Sequence, residues 1–77
     1  QVLLNIPVTS KPPFAAIPGL EDAAKEVEDQ LGEDGRVLLR YSGTESLARV
    51  MVEGPSAPLI EEHAQNLAAL FVSEIGA

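Results

Sequence analysis

Apolar and polar positions alternate at the start of the chain. Val2, Leu4, Ile6 and Val8 fall on one side, and Gln1, Leu3, Asn5 and Pro7 on the other. That is the period-two pattern of a strand with one buried face. Pro7 cannot donate a ladder hydrogen bond, so this strand is expected to lie at a sheet edge or to end there. Thr9 to Pro18 holds Ser10, Pro12, Pro13 and Pro18 and reads as a connecting loop, with Phe14 and Ile17 tucked onto the core. From Gly19 to Leu31 the period changes. Leu20, Ala23, Ala24, Val27 and Leu31 form one stripe, while Glu21, Asp22, Lys25, Glu28 and Asp29 lie elsewhere, which predicts a helix. Glu21 and Asp22 suit the positive end of its dipole, and Gly32 is placed for a left-handed stop. Glu33, Asp34 and Gly35 make a tight acidic turn into a second strand, Arg36 to Tyr41. A third strand, Leu47 to Glu53, is closed by Gly54 and Pro55. A last helix starts near Ser56 or Ala57, with Pro58 tolerated in its first turn. Its stripe is Ile60, Ala64, Leu67, Ala68, Phe71 and Ile75, widened by Leu59 and Leu70.

The order β-α-β-β-α predicts a two-layer α+β domain, a small antiparallel sheet with two helices on one face. A length of 77 residues makes residues 1–77 a single domain with a small core. The polar stretch from Arg40 to Arg49 sets a hairpin register. If Ser42 faces Leu47, then Tyr41 faces Ala48, Leu39 faces Val50 and Val37 faces Val52, an apolar face broken by one phenol. Leu38 then faces Met51, Arg36 faces Glu53, and Arg40 stands opposite Arg49. Like charges opposite one another on a sheet are destabilising. Two arginines beside a loop of Ser, Gly and Thr therefore suggest a seat for an anion. Phosphate suits it best, because the guanidinium fork matches its oxygens in pairs. Hydroxyls and backbone N–H groups of the glycine-containing turn could take the remaining oxygens.

Charge sharpens this reading. The formal net charge is −7, which argues against nucleic acid and against an anionic membrane surface as partners. Only five residues are Lys or Arg, and Arg36, Arg40 and Arg49 all fall on the hairpin. The plain alternative is that strand arginines merely solvate an exposed face. Cysteine is absent, which excludes disulfides and is compatible with a cytoplasmic protein. No apolar run reaches the ~18 residues that would suggest a membrane span. His63 is the single histidine and has no second His or Cys to complete a metal site, so it reads as a partly exposed helix residue. Glu53, Glu61 and Glu62 read as a solvated face. Ser42 lacks the Gly-x-Ser-x-Gly setting of an activated nucleophile, and no Gly-x-x-x-x-Gly-Lys is present for a nucleotide loop.

The motif Arg-x-Ser-Gly-Thr-Glu-x-x-x-Arg, from Arg40 to Arg49, is followed by Val50-Met51-Val52-Glu53-Gly54. It resembles the phosphate-binding loop of the α-D-phosphohexomutases, and most of all their phosphoglucosamine mutase branch. Lys11-Pro12-Pro13 and Gly35-Arg36-Val37-Leu38-Leu39-Arg40 extend the resemblance along nearly the whole chain. The loop motif is specific; the flanking segments alone are not. The resemblance implies the fourth and last domain of a four-domain enzyme, with a four-stranded sheet and two helices, similar to a TATA-box-binding-protein-like half. Three strands can be read from the sequence, and no segment presents itself as the fourth. Gln1 opens into an apolar run with no initiator Met, so a fragment cut at a domain boundary is expected.

By the same resemblance, Arg40, Ser42, Gly43 and Thr44 contact the phosphate of a phosphosugar, and Arg49 matches the trailing arginine that assists. Glu45 matches a motif position but repels an anion, so it is expected to orient Arg49 or the loop backbone. Position 46 is usually proline in this branch; Ser46 removes that restraint on φ and leaves the loop more mobile. The phosphorylated serine and the Mg2+ of such an enzyme are implied to lie on other domains of the same chain, with no metal and no cofactor here. This part would bind but not catalyse. The implied reaction interconverts glucosamine 6-phosphate and glucosamine 1-phosphate through a bisphosphorylated sugar, supplying amino-sugar precursors of a bacterial cell envelope. The same domain of a phosphomannomutase or phosphoglucomutase is the neighbouring reading, and a free-standing phosphate-binding module the more distant one.

Overall fold

The computed structural model describes residues 1–77. Three strands, β1 (Val2–Pro7), β2 (Arg36–Tyr41) and β3 (Leu47–Glu53), form one antiparallel sheet in the order β1-β3-β2. Two helices, α1 (Leu20–Leu31) and α2 (Ala57–Ile75), complete the α+β architecture. Three-residue 3-10 turns at Phe14–Ala16 and Gly32–Asp34 flank α1. The hairpin register is the one the sequence predicts, with Val37 opposite Val52, Leu39 opposite Val50, Tyr41 opposite Ala48 and Arg40 opposite Arg49.

The pleat explains the layering. Three rows of side chains cross the sheet on one face: Val2, Val52 and Val37; Leu4, Val50 and Leu39; Ile6, Ala48 and Tyr41. All nine belong to the core or pack against it. The helices bury this face through Leu20, Val27 and Leu31 of α1 and through Ile60, Ala64, Leu67, Ala68, Phe71 and Ile75 of α2. Phe71, Leu20 and Leu67 are among the largest fully buried side chains. The opposite face is uncovered. There Leu3 and Leu38 flank Met51 in the central strand, and they remain 57% and 46% exposed.

The first strand is an edge strand, and Pro7 is its last residue. A fragment of a fourth strand lies beyond it. After α2 the chain turns back antiparallel, and Gly76 bridges to Val8. Thr9 N–H donates to Ile75 O at 2.8 Å and Ala77 N–H to Pro7 O at 3.0 Å. The sheet has three strands, and a single bridge beyond β1 is all that is formed of the fourth that the resemblance implies.

Two glycines are fixed by geometry. Gly32 ends α1 with φ 64° and ψ −147°. This is a positive-φ stop, but in the glycine-only extended region rather than the left-handed helical region the sequence suggests. Gly35 lies where α1, β2 and β3 converge. A Cβ there would meet Glu53 O at 2.5 Å and Leu31 Cβ at 2.7 Å, so only glycine lets the backbones approach.

Candidate functional site

The loop from Ser42 to Ser46 joins β2 to β3, and Ser42 is its pivot. Ser42 is 7% exposed and is the one buried polar residue of the chain. Its N–H donates to Leu47 O at 2.9 Å, closing the hairpin. Its Oγ accepts the N–H groups of Glu45 at 3.1 Å and Thr44 at 3.3 Å. A serine hydroxyl folding the next residues onto itself is a standard local turn device. With both acceptor positions used, its O–H proton is left to donate elsewhere. The N–H groups of Thr44 and Glu45 point inward here, which departs from a loop whose free amides all face an anion. Gly43 differs. A Cβ at that position would meet nothing within 4 Å, and its φ is not in the positive range. Neither crowding nor backbone strain within this chain calls for glycine there, and the space above it is open.

The two arginines flank this loop as a cross-strand pair on the uncovered face of the sheet. Arg36 pairs with Glu53 through Nε and Oε2 at 3.2 Å, and that is the only salt bridge in the chain. Arg40 and Arg49 thus have no carboxylate within bridging distance, in a protein with 12 acidic residues. The expected role of Glu45 in orienting Arg49 is not seen. Glu45 makes no ion pair, and its backbone N–H, not its carboxylate, ties it to the loop.

The core reaches up to the loop through aromatics. Phe14, Tyr41 and Phe71, the only aromatic residues of the chain, pack as one cluster. Ring centroids of Phe14 and Tyr41 are 4.9 Å apart and tilted; Phe71 meets both edge to face, at 5.8 and 6.2 Å. The Tyr41 hydroxyl donates to Pro12 O at 2.7 Å. Burial raises its pKa above the ordinary phenol value.

The sequence did not place Lys11 in the site. Lys11 Nζ donates to Ser42 O at 2.6 Å. The contact spans 31 residues, so no local pattern reports it; scarcity of basic residues was the available signal. A shallow recess of about 320 Å³ beside the loop is lined by Lys11, Pro12, Pro13, Phe14 and Tyr41. A second cleft, of about 330 Å³, lies between α1 and α2, with His63 at its wall. His63 Nε2 is buried there without a hydrogen-bond partner. None of the loop residues lines that cleft, so it is separate from the hairpin loop. No group of three or more His, Cys, Asp or Glu side chains is gathered in the way a metal ion held by protein side chains alone would need.

Comparison with known proteins bears on this loop. The family described as "Phosphoglucomutase/phosphomannomutase, C-terminal domain" matches residues 3–70. The chain belongs to that family. Among relatives, the phosphoglucosamine mutase of Chlamydia trachomatis serovar L2 is 44% identical over 77 residues, all of this chain and 17% of the relative. That of Syntrophobacter fumaroxidans is 46% identical over 76 residues, 99% of this chain and 17% of the relative. That of Solidesulfovibrio magneticus is 56% identical over 68 residues, 88% of this chain and 15% of the relative. The chain therefore spans about one sixth of the length of these members of the family. No helix is long and apolar enough to cross a membrane.

Proposed function

We propose that this chain is the phosphate clamp of a phosphoglucosamine mutase. The observation that carries the reading is the opposed pair Arg40 and Arg49, without carboxylate partners, at the mouth of a serine-pivoted loop. In this reading Arg40 and Arg49 take phosphate oxygens through paired N–H groups. The Ser42 O–H and the Thr44 hydroxyl donate to the same anion, and the backbone at Gly43 allows it to come close. The relatives' name, phosphoglucosamine mutase, supports glucosamine phosphate as the sugar. In this reading the sugar passes between its 6- and 1-phosphates through a bisphosphorylated intermediate. The loop holds whichever phosphate is not reacting and contributes by positioning. The chemical step, with its phosphoserine and magnesium, belongs in this reading to other domains of a longer cytoplasmic chain.

The test uses the full-length enzyme. It should convert glucosamine 6-phosphate with higher kcat/KM than mannose or glucose phosphates. Arg40→Ala should lower kcat/KM by roughly ten- to a hundredfold, corresponding to the ~1.5–3 kcal/mol of a charge-assisted hydrogen bond. Arg40→Lys should restore only part, since a point charge lacks the planar fork. Normal efficiency in a folded Arg40→Ala enzyme would show that Arg40 is only a strand residue.

A further inference from the structure

We infer that Lys11 is a positioning residue for the phosphate loop, acting through the carbonyl of Ser42; the inference rests on the clamp reading above. The segment from Val8 to Pro12 runs alongside the loop, tied to it at two points and to the end of β2 at a third. Val8 N–H donates to Ser46 O at 2.9 Å. Lys11 Nζ donates to Ser42 O at 2.6 Å. The third tie runs the other way, from the Tyr41 hydroxyl to Pro12 O at 2.7 Å. Both ends of the loop are thus braced from one segment far away in sequence.

Ser42 is the residue that most needs fixing. Its Oγ holds the amides of Thr44 and Glu45, so a rotation of Ser42 moves every group that follows. Its N–H is already fixed to Leu47. The Lys11 bond fixes the carbonyl side of the same residue. An ammonium on a carbonyl is a charge-assisted bond, stronger than a neutral one. Lys11 also adds a positive charge beside a loop read as an anion seat. Holding a loop in its binding conformation before the ligand arrives improves affinity by removing the cost of ordering it. Lys11 therefore acts on phosphate binding through Ser42.

The experiment compares Lys11→Met, which keeps the aliphatic stem, with Lys11→Arg, which keeps a cationic donor, in the full-length enzyme. Two readouts are taken: KM and kcat for glucosamine 6-phosphate, and hydrogen exchange of the Thr44 and Glu45 amides without ligand. Lys11→Met should raise KM by about three- to tenfold with a smaller change in kcat, as loss of one partly exposed charged bond implies. It should speed exchange at both amides, and Lys11→Arg should recover most of each effect. An unchanged KM overturns the inference. A raised KM with unchanged exchange also overturns it, because Lys11 would then touch the anion directly. Arg40→Ala is run in parallel. If it leaves kcat/KM untouched, the clamp reading falls, and the exchange readout alone decides whether Lys11 positions the loop.

Discussion

On the proposed clamp reading, Arg40 and Arg49 are the residues where stability and function pull apart. Directly opposed like charges cost the free sheet something. Arg40→Ala should therefore leave the thermal midpoint unchanged or slightly raised while it damages substrate use. A merely structural arginine would give the reverse. Tyr41 is the opposite kind of residue, since its ring belongs to the core and its hydroxyl to the brace. Tyr41→Phe keeps the aromatic cluster and deletes one hydrogen bond, so unfolding by urea should show a loss of about 0.5–1.5 kcal/mol at neutral pH. Burial raises the pKa of this phenol, so the folded state favours its neutral form. The stability from that preference is complete below the unfolded value of ~10 and is lost as pH rises through the folded one. The wild-type protein should therefore lose more stability than Tyr41→Phe between neutral pH and a pH above that value.

At the scale of elements, the convergence of α1, β2 and β3 on Gly35 is the tightest joint. Gly35→Ala would drive a Cβ against Glu53 O and Leu31 Cβ. Overpacking of this kind costs ~1–3 kcal/mol, read as a lower urea midpoint with an unchanged slope. Periodicity made most of this architecture legible. Val37 to Leu39 and Val50 to Val52 are apolar runs of strand length, and the short polar loop between them leaves one register that buries Val37, Leu39, Val50 and Val52 together. The stripe of α2 is visible for the same reason. What stayed hidden depends on contacts between distant residues. Lys11 meets Ser42 only because β1 pairs with β3, and a sequence pattern carries no sign of that pairing. The Val8–Gly76 bridge is a single pair and has no period to detect. A motif position and charge predict that Glu45 orients Arg49 or the loop backbone, whereas its carboxylate forms no ion pair and only its backbone N–H is bonded within the loop.

Taken as a whole, the molecule is a strongly acidic domain with most of its few cationic groups near one loop. Of its five basic residues, Lys11, Arg40 and Arg49 are placed at or beside the hairpin loop. The 77-residue chain has a core cluster of 15 buried residues, so it should unfold in one cooperative transition. It should turn over no hexose phosphate. Titration with inorganic phosphate, followed by heteronuclear NMR, should move the amides from Ser42 to Glu45 first and only weakly, because one loop encloses part of a ligand. Shifts confined to α2 would contradict a site at the loop.

The strand order β1-β3-β2 also decides in what sequence the site comes together. The hairpin of β2 and β3 closes over a short loop and can pair early at small entropic cost. The first strand must wait for a partner far along the chain, a slower kind of contact. On contact separation alone, Arg40 and Arg49 are expected to come into register before Lys11 arrives. Beyond β3, the first strand is bonded only by the short bridge to the last residues of the chain, and such edge elements open at lower free energy than central ones. When β1 peels away, the Val8 and Lys11 bonds go with it and the hairpin remains. The hairpin loop then loosens at both of its ends, Ser42 and Ser46, and motion of the first strand becomes motion of the loop.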